Sequence, residues 1–181
     1  MCYCDDCQSF AHFLGRANEV LDAHGGTDIS QMSAARLKIT KGEDHLACIR
    51  LKAGGLLRWY TDCCNTPIGN TLASRQIPFV GLIHCCMDHD SGGGSRDTVL
   101  GPIRAGVNGR FAKGDRSQIE AHDATPPSML LRIVPMLLMA RLRGEHVRSP
   151  FFDPETGETR ATPRVLTAEE RQRVEAARDA R

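Results

Sequence analysis

A chain of 181 residues is long enough for one domain with appendages and a substantial buried core. Its 23 basic and 22 acidic residues leave a formal charge of +1, which excludes the strong basic field that draws nucleic acid or an anionic membrane surface. Aromatics make up only 5% of the chain, and 17 glycines with 9 prolines point to a turn-rich, mainly β fold. No charged-then-apolar leader opens the sequence, so no signal peptide is expected and the cytoplasm is the default location. Cysteines stay reduced there and serve as metal ligands or nucleophiles.

In chain order, the stretch QSFAHFLGRANEVLDAHGG sets Phe10, Phe13, Leu14, Val20 and Leu21 at roughly helical intervals. Asp5 or Asp6 is expected to cap this helix, and Gly25-Gly26 to end it. RLKITKGEDHLACIRL reads as a β-hairpin turning at Gly42, with Leu37, Ile39, Leu46, Cys48 and Leu51 apolar. After Gly54-Gly55 comes a strand, LLRWYT, and then CCNTPIGN, read as a loop from its Asn, Pro and Gly content. IPFVGLIHCCMDH reads as a strand buried on both faces and closed by Asp88-His89-Asp90, and SGGGS (residues 91–95) as a flexible joint.

The second half is different in composition. TPPSMLLRIVPMLLMARLRGEH predicts a helix capped by Ser128 and stopped at Gly144, too short and too interrupted by Arg132 and Pro135 to span a membrane. Its broad apolar face is expected to cover the β core or a second copy of the chain, a homodimer through residues 129–142. FFDPETGETR reads as a tight turn between extended pieces. The tail carries a capping box, Thr167 with Glu170, but almost no apolar face, so a frayed solvent helix is expected. No internal repeat is visible. The expected organisation is a β domain over 1–115, an apolar helix and extension packing on it over 116–166, and a polar helical tail over 167–181.

Chemistry concentrates in the cysteines. The chain has eight, but the adjacent pairs Cys63-Cys64 and Cys85-Cys86 and the terminal C-x-C make awkward disulfide partners. Cys2, Cys4 and Cys7 are spaced C-x-C-x-x-C, and such a cluster suggests zinc. On an extended strand, α-carbons two residues apart are separated by roughly 6–7 Å. Sulfurs around tetrahedral zinc stand only about 3.8 Å apart, so Cys2 and Cys4 must pinch together and a turn must bring Cys7 round. A three-thiolate site leaves a fourth position open, as catalytic zinc needs; the plain alternative is a fraying end with free thiols. Asp5 and Asp6 stand where a base would, although capping also accounts for them. His12 falls five residues after Cys7, near enough to line the site. Cys48 reads as a small buried hydrophobe, and at most one of Cys85 and Cys86 can face a site with His84 or His89. His24, His45, His122 and His146 carry no signal.

These motifs resemble those of the zinc-binding family of glutathione-dependent formaldehyde-activating enzymes, which includes the centromere protein V relatives. CYCDDC is similar to that family's middle C-x-C-x-x-C, and WYTDCCNTPIGN to its aromatic-C-x-x-C-G-T-P segment, with Cys64, Thr66 and Pro67 on matching positions. FVGLIHCCMDHD stands where the family has its next core strand, so the likeness covers roughly residues 2–90. The chain looks most like a bacterial branch of the superfamily with CYCDDCQ and a long C-terminal extension. The resemblance implies a β-tent fold of antiparallel sheets with zinc knuckles, and an open zinc on Cys2, Cys4 and Cys7. It also implies a carbon–sulfur lyase reaction on a glutathione-type thiol adduct.

Two departures qualify it. The family's early C-x-C is absent, as though a first strand had been lost, and Thr61 stands where the later C-x-x-C begins. Cys63 and Cys64 are then the remnant of a structural zinc site. The sequence therefore supports a zinc-dependent lyase-like protein, with a non-catalytic zinc interaction module or a truncated inactive homologue as alternatives. Zinc is the expected cofactor and a small thiol such as glutathione the expected partner, with no role for nucleic acid.

Overall fold

The computed structural model describes residues 1–87 and 94–180. Its strands are β1 (Ile29–Ser33), β2 (Leu46–Arg50), β3 (Leu57–Thr61), β4 (Thr66–Thr71), β5 (Phe79–Ile83), β6 (Gly106–Val107), β7 (Ala121–His122) and β8 (Arg164–Val165). Its α-helices are α1 (Asp5–Phe13), α2 (Ala17–Val20), α3 (Arg96–Leu100), α4 (Pro127–Leu142) and α5 (Ala168–Asp179). Six strands form one mixed sheet in the order β1-β5-β4-β3-β2-β8, antiparallel throughout except for the parallel edge pair β2–β8. β6 and β7 make a small parallel pair of their own. The expected sheet is present, but the helices give the chain a mixed character that "mainly β" understates.

Period-two alternation sends side chains to two cores. On one face, Ile49 and Ile83 meet Phe10, Ala11 and Leu14 of α1, with Val20, Leu21, Leu51 and Leu166 around them. On the other, Cys48, Leu57, Trp59, Val80 and Leu82 meet Phe151 and Phe152. Trp59 stacks on Phe151 with centroids 4.9 Å apart and meets Phe152 edge-on at 6.2 Å. Its Nε1 donates to Thr71 Oγ1 at 2.9 Å, so the indole's polar end is satisfied in the core. Burying each phenylalanine is worth about 1.5–3 kcal/mol.

The central strand β4 was unreadable as a strand because it contains Pro67 and Gly69. The β3–β4 register slips between Trp59 and Tyr60, and Pro67 sits opposite Tyr60 at that irregularity, where a missing N–H does least harm. A Cβ on Gly69 would lie 2.5 Å from the Gly81 carbonyl oxygen, so glycine is what lets β4 and β5 approach.

Other boundaries differ for equally local reasons. α1 stops at Phe13 because Gly15 takes φ +68°, with Arg16 N–H donating to Ala11 O and Gly15 N–H to His12 O, a Schellman end. Gly25-Gly26 ends no helix. The expected hairpin does not form: β2 pairs with β3, and residues 34–36 and 43–45 are short 3-10 turns. The first strand of the sheet is β1 instead, paired to β5.

His84–Cys86 is a 3-10 turn, so Cys85 and Cys86 do not alternate across a strand. The Asp88-His89-Asp90 stop and residues 91–93 of the joint lie outside the described residues. Pro126, not Ser128, is the N-cap of α4, and Gly144 turns the chain at its end with φ +70°. Of α4 only Ala140 is buried, while Leu130, Leu131, Val134, Leu138, Met139 and Leu142 are exposed. In α5 the Thr167–Glu170 capping box forms, and the helix packs beside α1. Among the described residues no helix is long and apolar enough to cross a membrane.

Candidate metal centre

Three distant segments build the site. Residues 1–3 run between two others: Cys2 bridges Thr27 in antiparallel fashion and Val107 in parallel. Cys2 N–H donates to Thr27 O at 2.9 Å, and Tyr3 N–H to Val107 O at 3.0 Å. The chain then turns at Cys4, whose carbonyl accepts from Cys7 N–H at 3.0 Å and Gln8 N–H at 3.2 Å, opening α1. Cys4 is itself the N-cap, in extended conformation, so Asp5 and Asp6 fill the first turn of the helix rather than cap it. Cys7, one turn in, swings back toward Cys2 and Cys4.

The result is a group of three sulfurs all within 4.8 Å of one another. Cys4 and Cys7 sulfurs are 3.0 Å apart, and those of Cys7 and Cys2 3.8 Å apart. The second distance equals the separation of roughly 3.8 Å that zinc with Zn–S near 2.3 Å requires. Among the described residues no fourth His, Cys, Asp or Glu joins the group. Cys7 is buried, and Cys2 and Cys4 are half-buried. The donor set is soft, compact and three-coordinate, which fits zinc with one position left over.

Three thiols this close cannot all ionise unaided. Hydrogen bonds from Cys4, then Cys7, hold the Cys2 thiol well below the usual range, and the Asn108 side chain adds to them, its Nδ2 donating to Cys2 Sγ at 3.5 Å. The same network pushes Cys4 up, through its bonds to Cys2 and Cys7. Cys7 is pushed up to about 11 by its hydrogen bond to Cys2, with burial adding to this and Cys4 and the Arg58 charge opposing it. The three sulfurs thus share protons that a bound cation would displace.

Residues that spacing alone did not single out hold this arrangement. Gln8 is 1% exposed, and its Nε2 donates to Tyr3 O at 2.7 Å and Phe111 O at 3.0 Å, clamping the terminal strand to the 106–111 segment. Asn108 takes φ +59°, a left-handed turn that aims its amide at Cys2. A Cβ on Gly25 would meet the Gln8 side chain at 2.9 Å, and one on Gly26 would meet Tyr3 at 2.6 Å. The two glycines therefore make room for the motif. Arg58, 2% exposed, places its guanidinium 5.5 Å over the Phe10 ring, with Nη2 3.8 Å from Asp6. The CYCDDCQ string carries Gln8 as a legible signal; Asn108 and Arg58 had none.

The other candidates stand apart. Cys63 and Cys64 lie exposed on the β3–β4 turn with sulfurs 3.5 Å apart, and among the described residues no third metal-binding side chain joins them. His12 sits in the last turn of α1, outside the sulfur group. Cys48 is buried in the second core, where burial pushes its thiol up to about 12. Burial also raises Cys85, and Cys86 to about 12. A cavity of about 100 Å³ between α1 and α5 is lined by Asp6, Ser9, Lys52 and Arg178 among others, but by none of the three clustered cysteines.

Fold and site together define a mixed-sheet protein with an N-terminal three-cysteine group able to hold a metal ion. The chain belongs to the family described as "Family of unknown function (DUF6151)", whose model matches residues 1–160. No curated protein and no solved structure matches it.

Proposed function

We propose that Cys2, Cys4 and Cys7 hold a zinc ion whose remaining position accepts a small thiol of the glutathione type. The chain would then be a carbon–sulfur lyase-like relative of the formaldehyde-activating β-tent enzymes. The observation that carries this reading is the convergence of three sulfurs within 4.8 Å without a fourth ligand among the described residues. Bound zinc supplies a charge that stabilises a substrate thiolate and orients it toward an electrophilic carbon. The chain's own residues do the rest. Cys4 and Cys7 give up the protons they share with Cys2 on binding. Asn108 supports the Cys2 sulfur, and Gln8 fixes the strand that carries Cys2 and Cys4. Arg58 brings a buried positive charge to the side of Cys7. Thiols of this kind need a reducing compartment, which makes the cytoplasm part of the proposal.

A second reading, a non-catalytic zinc module, draws on α4. Its exposed Leu131, Val134, Leu138 and Leu142 recur at intervals of three and four, a seam suited to a second copy of the chain. One preparation tests both readings. Metal analysis of gently purified protein is expected to give about one zinc per chain. Glutathione is expected to shift the visible spectrum of the cobalt-substituted form. Absence of metal removes both readings, and spectral indifference to glutathione removes the lyase. Sedimentation of the same sample reads the α4 pairing, and a monomer at every concentration removes it.

A further inference from the structure

The β3–β4 turn carries two thiols that the metal reading does not use. Thr61 and Thr66 pair across the end of the hairpin, and Asn65, at φ +55°, closes the turn between them. Cys64 Sγ lies 3.1 Å from Thr61 Oγ1, 3.1 Å from Thr66 Oγ1 and 3.5 Å from Cys63 Sγ. Thr61 Oγ1 already accepts Thr66 N–H at 3.3 Å, which leaves its O–H to donate to the sulfur. The Cys64 sulfur is thus surrounded by two hydroxyls and a neighbouring thiol, each able to donate to it, while it remains exposed.

We propose that the Cys63–Cys64 thiol pair is a site of exchange with small-molecule disulfides, with Cys64 as the attacking sulfur and Cys63 as the donor that stabilises it. The Cys64 thiolate forms a new S–S bond to one sulfur of the incoming disulfide. The old S–S bond breaks, and the departing half leaves as a thiolate that takes a proton from water. One disulfide is consumed and one is formed, so no further oxidant is needed. The same hydrogen bonds, led by that of Thr61, draw the Cys64 thiol down to about 6, whereas its bond to Cys64 pushes Cys63 up. The turn thus favours ionisation at Cys64 over Cys63.

The test treats the full-length protein as purified with glutathione disulfide at pH 7 and maps the adducts by peptide mass spectrometry. Cys64 is expected to take up glutathione several-fold faster than Cys63, its larger thiolate fraction outweighing the lower nucleophilicity of a low-pKa thiol. Cys64→Ser is expected to remove the fast adduct and leave only the slow one at Cys63. Thr61→Val with Thr66→Val should narrow the preference markedly, while melting temperature reports whether the fold is intact. Equal labelling of Cys63 and Cys64, or an adduct preference untouched by the double threonine variant, overturns the proposal.

Discussion

The two cysteine centres of this chain are built in opposite ways. Cys2, Cys4 and Cys7 meet because residues 1–3 are threaded between Thr27 and Val107, so the site depends on contacts about a hundred positions apart in sequence. Cys63 and Cys64 meet because they are neighbours on one hairpin turn. Among the described residues the hydrogen-bond partners of the Cys64 sulfur all come from residues 61–66, while Arg16 Nη1 donates to the Cys64 carbonyl at 3.1 Å. One group is half-buried or buried and shares its protons among sulfurs; the other is exposed and leans on hydroxyls. The comparison teaches that spacing alone does not say what a cysteine cluster is for. What surrounds the sulfur does.

The sharpest way to separate the centres is Cys7→Ala. Cys7 touches both other sulfurs and is the buried member of the group, so its loss leaves two ligands. Zinc affinity is expected to fall by more than about 100-fold, beyond the range that loss of an outer contact produces. The adduct rate at Cys64 is expected to stay unchanged. A competition titration against a chromophoric chelator reads the first, and peptide mapping the second. Retained stoichiometric zinc would show that Cys7 is not a ligand.

A smaller effect comes from Gln8→Leu. The leucine keeps most of the volume but strands the Tyr3 and Phe111 carbonyls, which lose their donor in a buried place. Each unsatisfied acceptor should cost about 1–3 kcal/mol in stability, less for the part-buried Phe111 carbonyl, readable as a lower urea midpoint with an unchanged slope. Zinc binding is expected to weaken along with it, because the strand bearing Cys2 and Cys4 loosens. A variant as stable as the parent would mean that the clamp is ornamental.

How much of this was legible depends on how local each feature is. The C-x-C-x-x-C pattern and the need for a turn after Cys4 follow from bond lengths alone, and the three sulfurs do converge. The Thr167–Glu170 capping box is equally local, and it forms. β4 was hidden because proline and glycine read as loop residues, yet here they serve a register shift and a close strand approach that involve Tyr60 and Gly81. Gly25-Gly26 misled for the same reason: their purpose is space for Tyr3 and Gln8, which a linear reading assigns to helix termination. Asn108 and Arg58 lie 106 residues from Cys2 and 51 from Cys7 in the chain, and nothing in their neighbourhoods announces the site.

Asn65→Val probes the opposite centre with the least disturbance elsewhere. Asn65 holds φ +55°, a conformation that asparagine tolerates and a β-branched side chain resists. The substitution should cost about 1–2 kcal/mol, with Asn65→Gly close to neutral. The strain falls on the turn, so the Thr61 and Thr66 hydroxyls should drift from the Cys64 sulfur and the adduct preference over Cys63 should shrink. Zinc affinity should not change, because no residue of the turn touches Cys2, Cys4 or Cys7 among the described contacts. If Asn65→Val weakened zinc as much as it weakened the Cys64 preference, the two centres would be coupled through β3, and their independence would have to be abandoned.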